Sequence, residues 1–319
     1  MITAGRNGRG LSEPLEPGFV DRRPRLVTDE RGTTRYQLEG QMIPPGTGRG
    51  AWAPEGIMEA SLHREGGVDP KLRLVDMDEE GIDTAVLFGT FGLALWIAPE
   101  DLSPALCRAY NNWMADYGGT DASRLKATAS LPLRSIEDSV VEARRAVTDL
   151  GCVALTLPVN IVGRNPDDPE IFPLYQLAEE LDVPIAFHAG GGRFAEDRFT
   201  DAYATAHTVC FPMDILFGLT TVLCGGVLER FPKLRVAMLE AGCGFLPYYL
   251  ERLDERLHGI SARRDESDRT VEDRRANAGS SMPPHVDSVD AECSFDEVDG
   301  QVVGKGSETH KAAIVGDTV

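Results

Sequence analysis

The chain has 319 residues, 42% hydrophobic and 26% charged, with a formal net charge of -19. That length and apolar content suit one large α/β domain with a sizeable core. An acidic excess of this size repels nucleic acid and anionic lipid, and no apolar run reaches the length of a bilayer span, so neither a nucleic-acid nor a membrane partner is expected.

In chain order, residues 1–67 are expected to form an N-terminal arm, a hairpin and a lid segment, ahead of a barrel domain over 68–319. Residues 1–24 read as an irregular arm rich in Gly, Pro and Arg. No hydrophobic region follows the first ten residues, so a signal peptide is not expected. Leu26 and Val27, a turn at Arg31-Gly32, and Tyr36 and Leu38 on the return read as a hairpin. Residues 40–67, glycine-rich and carrying Pro44-Pro45, read as loop or lid.

Alternation of helix and strand begins at Asp69. Asp69-Pro70 supplies an N-cap and first helical position for a helix to about Glu80, stopped by Gly81. Residues 84–88 form the next strand. Ser103-Pro104 opens a helix with Leu106, Ala109, Tyr110, Trp113 and Tyr117 at helical spacing. A strand over 125–133 precedes a helix that starts from Ser135 and Asp138 as a capping box and ends near Gly151. Residues 152–159 are the third strand. Asp168-Pro169 then starts a helix that turns Ile171, Leu174, Leu177, Ala178 and Leu181 inward.

The fourth strand, 183–188, ends on His188. A long apolar helix over about 212–229 follows, then a strand that stops at Glu240 and a helix over about 246–257. The polar segment 259–290 is expected to be mobile. Residues 292–298 read as a weak strand and 310–317 as the last. Seven strands mostly separated by helices imply a parallel sheet, closed most simply as a (β/α)8 TIM barrel. The apolar 212–229 helix makes a homodimer the expected assembly. None of the six cysteines (107, 152, 210, 224, 243, 293) lies in a Cys-x-x-Cys or other ligand spacing. Reduced thiols and a cytoplasmic location are therefore expected.

Polar groups at the carboxyl ends of barrel strands build active sites. His188, Glu240 and Asp317 each close an apolar run. Neutral imidazole is a common ligand of divalent ions, so His188 is a candidate metal ligand; the alternative is a buried histidine satisfied by a backbone carbonyl. Glu240 is a candidate general acid or base, with a salt bridge to Arg235 or Arg252 as the alternative. Asp317 is a candidate metal ligand or an ordinary polar residue near the chain end. Gly190, Gly191 and Gly192 would let a substrate approach the backbone, with Arg193 beside them as a substrate-binding cation. His207 is a candidate catalytic residue or a solvent-facing loop histidine. The acids over 287–299 read as a solvated loop without calcium-loop spacing.

The same residues carry a resemblance. Asp76-Met77-Asp78-Glu79-Glu80-Gly81-Ile82-Asp83 and Pro184-Ile185-Ala186-Phe187-His188 are part of it. So is the string from Gly226 through Arg230-Phe231-Pro232-Lys233-Leu234-Arg235 and Leu239-Glu240-Ala241-Gly242 to Glu255. Together they resemble the amidohydrolase-related family that contains aminocarboxymuconate semialdehyde decarboxylase. The resemblance implies a distorted (β/α)8 barrel with one divalent ion, zinc or manganese. It also implies non-oxidative decarboxylation or hydrolysis of a small carboxylic or aromatic acid. Carried across, His188 matches the metal-binding histidine at the end of the fifth family strand. Glu240 falls where some decarboxylases place a catalytic histidine. Asp317, in Gly316-Asp317-Thr318-Val319, matches the metal-binding aspartate of a Ser-Asp-Tyr-Pro-His string. Family members begin with a strand bearing an acid or histidine, one residue, then histidine; no such pair stands here before His63. On that departure the alternative is a metal-free barrel that binds a ligand or pairs with a second copy without catalysis.

Overall fold

The N-terminal hairpin forms in the expected place. In the computed structural model, which describes residues 15–28, 34–43, 65–89, 95–96, 98–189, 203–261, 296–298 and 301–303, β1 (Arg25–Thr28) pairs antiparallel with β2 (Thr34–Leu38). The Arg31-Gly32 turn lies outside the described residues. A further strand, β3 (Gln41–Ile43), pairs with β2 where a loop was expected. The two residues between them, Glu39 and Gly40, both adopt positive φ, 49° and 79°, as a tight primed hairpin turn requires. Residues 44–64 lie outside the described residues. Arg22 ties this sheet to the barrel through Glu39 at 2.9 Å and Asp101 at 2.5 Å. The Arg22 guanidinium holds the Asp101 carboxyl below its usual range. Leu15 and Leu38 are buried in the common core.

Beyond it, α1 (Pro70–Glu79) starts at Asp69, whose side chain accepts from the Lys71 amide at 2.9 Å. β4 (Ala85–Leu87), α2 (Ser103–Gly118), β5 (Leu125–Ala127), β6 (Ala129–Ser130), α3 (Ile136–Thr148), β7 (Leu155–Pro158), α4 (Phe172–Leu181) and β8 (Ile185–His188) follow in alternation. α5 (Tyr203–Cys224), the short α6 (Val227–Arg230), β9 (Val236–Met238) and α7 (Leu246–Ser261) complete the series. β4 pairs parallel with β5, and β6-β7-β8-β9 form a parallel sheet in chain order. Such an ordered arc of parallel strands, alternating with helices except where β5 runs directly into β6, is the repeat from which a (β/α)8 barrel is made. Strands covered on both faces must be apolar throughout. Leu155, Leu157, Ile185 and Phe187 are accordingly inaccessible to solvent. Tyr175, Phe172, Phe231 and Phe187 pack as edge and tilted rings between α4 and the sheet.

The single strand expected over 125–133 is split at Thr128. Its hydroxyl donates to the Leu87 carbonyl at 2.8 Å and lies 3.2 Å from the Thr156 hydroxyl, stitching β4, β5 and β7. A buried polar network joins α2, α3 and β6. Asn111 donates to the Ser130 carbonyl at 2.9 Å and to Glu142 at 2.7 Å, and accepts from the Ser130 amide at 2.9 Å. Arg145 completes it through two bonds to Glu142. Asn111→Ala would remove the side-chain partner of two buried backbone groups, the Ser130 amide and carbonyl, and should lower stability by about 2 kcal/mol, read in denaturant unfolding; a loss below about 0.5 kcal/mol would mean the network carries no weight. Burial pushes the Cys152 thiol up to about 12.

Two expectations change. The long apolar helix begins at Tyr203 rather than Pro212, so Pro212 lies inside it. Burial of a helix with so few polar residues offsets the amide bond that proline removes. Downstream, β10 (Asp296–Val298) is not a barrel strand. It pairs antiparallel with β11 (Gln301–Val303) in a separate hairpin. Residues 262–295, most of the segment expected to be mobile, and 310–317, the expected last strand, lie outside the described residues. Among the described residues no helix is long and apolar enough to cross a membrane.

Candidate active site

The register of β8 and β9 decides where the functional side chains stand. His188 pairs with Pro158 at the carboxyl end of β8, and Phe187 pairs with Met238. The Leu239 amide then donates to the Phe187 carbonyl at 2.9 Å. Glu240 therefore leaves the sheet one residue beyond the level of His188. Its backbone turns left-handed, at φ 61°, which costs a residue with a Cβ about 1–2 kcal/mol.

The turn brings Glu240 Oε2 to 3.3 Å from His188 Nε2. His188 is buried and Glu240 half-buried. Although the two groups are close enough for an ion pair, Oε2 is buried without a hydrogen-bond partner. The separation exceeds the about 2.7–2.9 Å of a charge-assisted N–H to carboxylate bond, and we take the pair as electrostatic contact without an aligned hydrogen bond. On the other side of the ring, Nδ1 lies 2.8 Å from the Ala189 carbonyl oxygen. A carbonyl only accepts, so Nδ1 carries a proton, and in its neutral form the ring presents a lone pair at Nε2. A lone pair then faces a carboxylate oxygen. Such a pair calls for positive charge, either a second ring proton or a bound cation.

These atoms suit a divalent ion. A ligating histidine ordinarily donates its other N–H to a carbonyl or carboxylate, as His188 does to Ala189. Imidazole nitrogen with carboxylate oxygen is a donor set that zinc and manganese accept. Among the described residues no group of three His, Cys, Asp or Glu side chains is assembled.

The structure thus brings together two of the expected site residues. Asp317 and Arg193 lie outside the described residues. His207 falls within α5 rather than in a loop before it, and its side chain is outside the described residues. Neither arginine offered as a structural partner reaches Glu240. Arg235 binds Asp182 at 2.9 Å and Arg252 lies 3.3 Å from Glu255. Arg235 and Glu240 flank β9 on either side, five positions apart and about 16 Å when extended, which puts them at opposite ends of the strand. The left-handed conformation at Glu240 had no signal in its own residue type; Gly242, also at φ 61°, was the nearest hint.

The family profile described as Amidohydrolase matches residues 49–276. A 2-amino-3-carboxymuconate-6-semialdehyde decarboxylase from Dictyostelium discoideum is 28% identical over 200 residues, covering 62% of this chain and 53% of that protein. A gamma-resorcylate decarboxylase from Polaromonas sp. is 26% identical over 196 residues, 59% of each chain. The chain therefore spans little more than half the length of these relatives. Among solved structures, an amidohydrolase from Mycobacterium avium subsp. paratuberculosis superposes with a TM-score of 0.60 at 20% identity, covering 84% of this chain and 78% of the other. A dihydroxybenzoic acid decarboxylase from Polaromonas sp., with bound manganese and 2-nitroresorcinol, superposes with a TM-score of 0.50 at 21% identity, covering 63% and 61%. At such identities these likenesses establish the fold, an α/β TIM barrel.

Proposed function

The chain belongs to the amidohydrolase family, and from that premise we propose that it is a metal-dependent carboxy-lyase acting on a small aromatic or unsaturated carboxylic acid. The observation that carries this reading is the His188–Glu240 pair, 3.3 Å apart at adjacent strand ends. A buried imidazole with its lone pair turned to a half-buried carboxylate is a centre that can hold a cation and move a proton.

A divalent ion, zinc or manganese, would supply a Lewis acid that draws electron density from the substrate's carboxylate or hydroxyl. His188 would hold it through Nε2, with Asp317 as a further ligand. Arg193 would orient the anionic group of the substrate. In the reaction the carbon–carbon bond to the carboxylate would break, CO2 would depart, and the electron pair left on carbon would take a proton that Glu240 or His207 had first accepted from solvent water. Decarboxylation is favoured over hydrolysis because two of the similar relatives are named as decarboxylases. Reconstitution with Mn2+ or Zn2+ and incubation with 2,6-dihydroxybenzoate and a set of unsaturated carboxylic acids tests the reading. Metal-dependent CO2 release from at least one of them, lost in Glu240→Gln, is expected. No release, with hydrolysis of ester or amide analogues instead, would replace the lyase by a hydrolase.

We further propose a homodimer formed through α5. Its outward side chains include Met213 and Phe217, 48% and 43% exposed. Asp214 is the helix's single charged residue, and it is buried. In a chain of net charge -19, a like-charged copy approaches most favourably over an uncharged face. Met213→Glu should therefore halve the mass measured by light scattering; a monomeric wild-type protein would refute the dimer. Buried thiols at Cys107 and Cys152 fit a cytoplasmic enzyme.

A further inference from the structure

We propose that Glu240 is itself a direct ligand of the divalent ion, sharing it with His188, so that one cation bridges the ends of β8 and β9. The inference rests on the metal-dependent reading above but assigns Glu240 a role that proton transfer does not need. Three features of this residue and its partner are unfavourable as they stand. The backbone is left-handed at a residue with a long side chain. Oε2 is buried without a hydrogen bond. The same atom faces a ring nitrogen whose proton resides on the opposite side of the imidazole, at the Ala189 carbonyl. Positive charge between Nε2 and Oε2 offsets the last two directly and gives the first a purpose.

The separation has the right size for this. Two donors each about 2.1 Å from a common ion stand about 3.4 Å apart in tetrahedral geometry and about 3.0 Å apart when octahedral. The observed 3.3 Å falls between these values, close to the tetrahedral one. It is long for a charge-assisted hydrogen bond. Ligation through Oε2 alone leaves the other carboxylate oxygen for the proton transfer described above. A pure proton carrier, by contrast, would be expected to aim its oxygen at substrate and to accept an aligned hydrogen bond from the imidazole when resting.

Calorimetric titration of chelator-treated protein with Zn2+ and Mn2+ separates the two roles. Wild-type protein should bind one ion. Glu240→Gln and His188→Ala should each weaken binding by more than about a hundredfold, beyond what loss of an outer-shell partner produces. Cobalt substitution gives an independent readout, since removing a carboxylate ligand changes the visible absorption of the ion. Glu240→Gly, which suits the left-handed backbone, guards against misfolding and should show the same loss of affinity. If Glu240→Gln binds metal as wild-type does while His188→Ala does not, direct ligation is overturned and the proposed lyase stands. If wild-type protein binds no ion, both fall.

Discussion

His188→Ala should abolish metal uptake and lower turnover by about a thousandfold or more. The imidazole is the only nitrogen ligand that the described strand ends present, and its tautomer is fixed by the Ala189 carbonyl. Removing it deletes a ligand and also leaves Glu240 Oε2 buried with nothing facing it. Loss of Lewis-acid activation and of an ordered proton path each cost orders of magnitude in rate. The fold should persist, because Phe187 and the pairing of β8 with β7 and β9 do not depend on the ring. Metal content of the purified variant and CO2 release decide the matter. Wild-type metal content, or a rate within about tenfold of wild-type, would remove His188 from the centre.

The second large effect is a divergence between stability and activity at Glu240. In metal-free protein, Glu240→Gly relieves a left-handed conformation worth about 1–2 kcal/mol and an unsatisfied buried oxygen worth about 1–3 kcal/mol. Against this stand lost side-chain contacts and the greater freedom of glycine in the unfolded chain, roughly 1 kcal/mol. The net expectation is a gain of about 1 kcal/mol, seen as a melting temperature raised by about 2 °C. Turnover should fall by about a hundredfold to ten-thousandfold, the scale of a missing acid–base group. A destabilised variant with intact activity would make Glu240 an ordinary packing residue. Backbone strain of this kind persists where function requires the side chain it aims.

Much of this arrangement was legible because strands buried on both faces have no alternation to obscure them. Ile185–His188 and Val236–Met238 stand out as apolar runs, and a polar residue closing such a run marks the strand's end. Less visible were features set by register or by backbone angle. The contact between His188 and Glu240 depends on β8 and β9 lying side by side with Phe187 opposite Met238, which no local pattern states. The third strand of the N-terminal sheet was obscured by Pro44-Pro45, although Glu39-Gly40 is a recognisable two-residue turn. Asp299-Gly300 was likewise a hairpin signal in the sequence, between the two strands that pair as β10 and β11. Pro212 resembles a helix start, but the apolar sequence on both sides of it allows α5 to run straight through. For Glu240, charge alone suggested Arg235 as a partner; strand length rules that out.

The account stands or falls on where a divalent ion binds. Anomalous diffraction at the manganese edge, from crystals grown with Mn2+, locates such an ion directly. A single strong peak about 2.1 Å from both His188 Nε2 and Glu240 Oε2 is predicted. A peak remote from both atoms, or none at saturating Mn2+ and Zn2+, would contradict it.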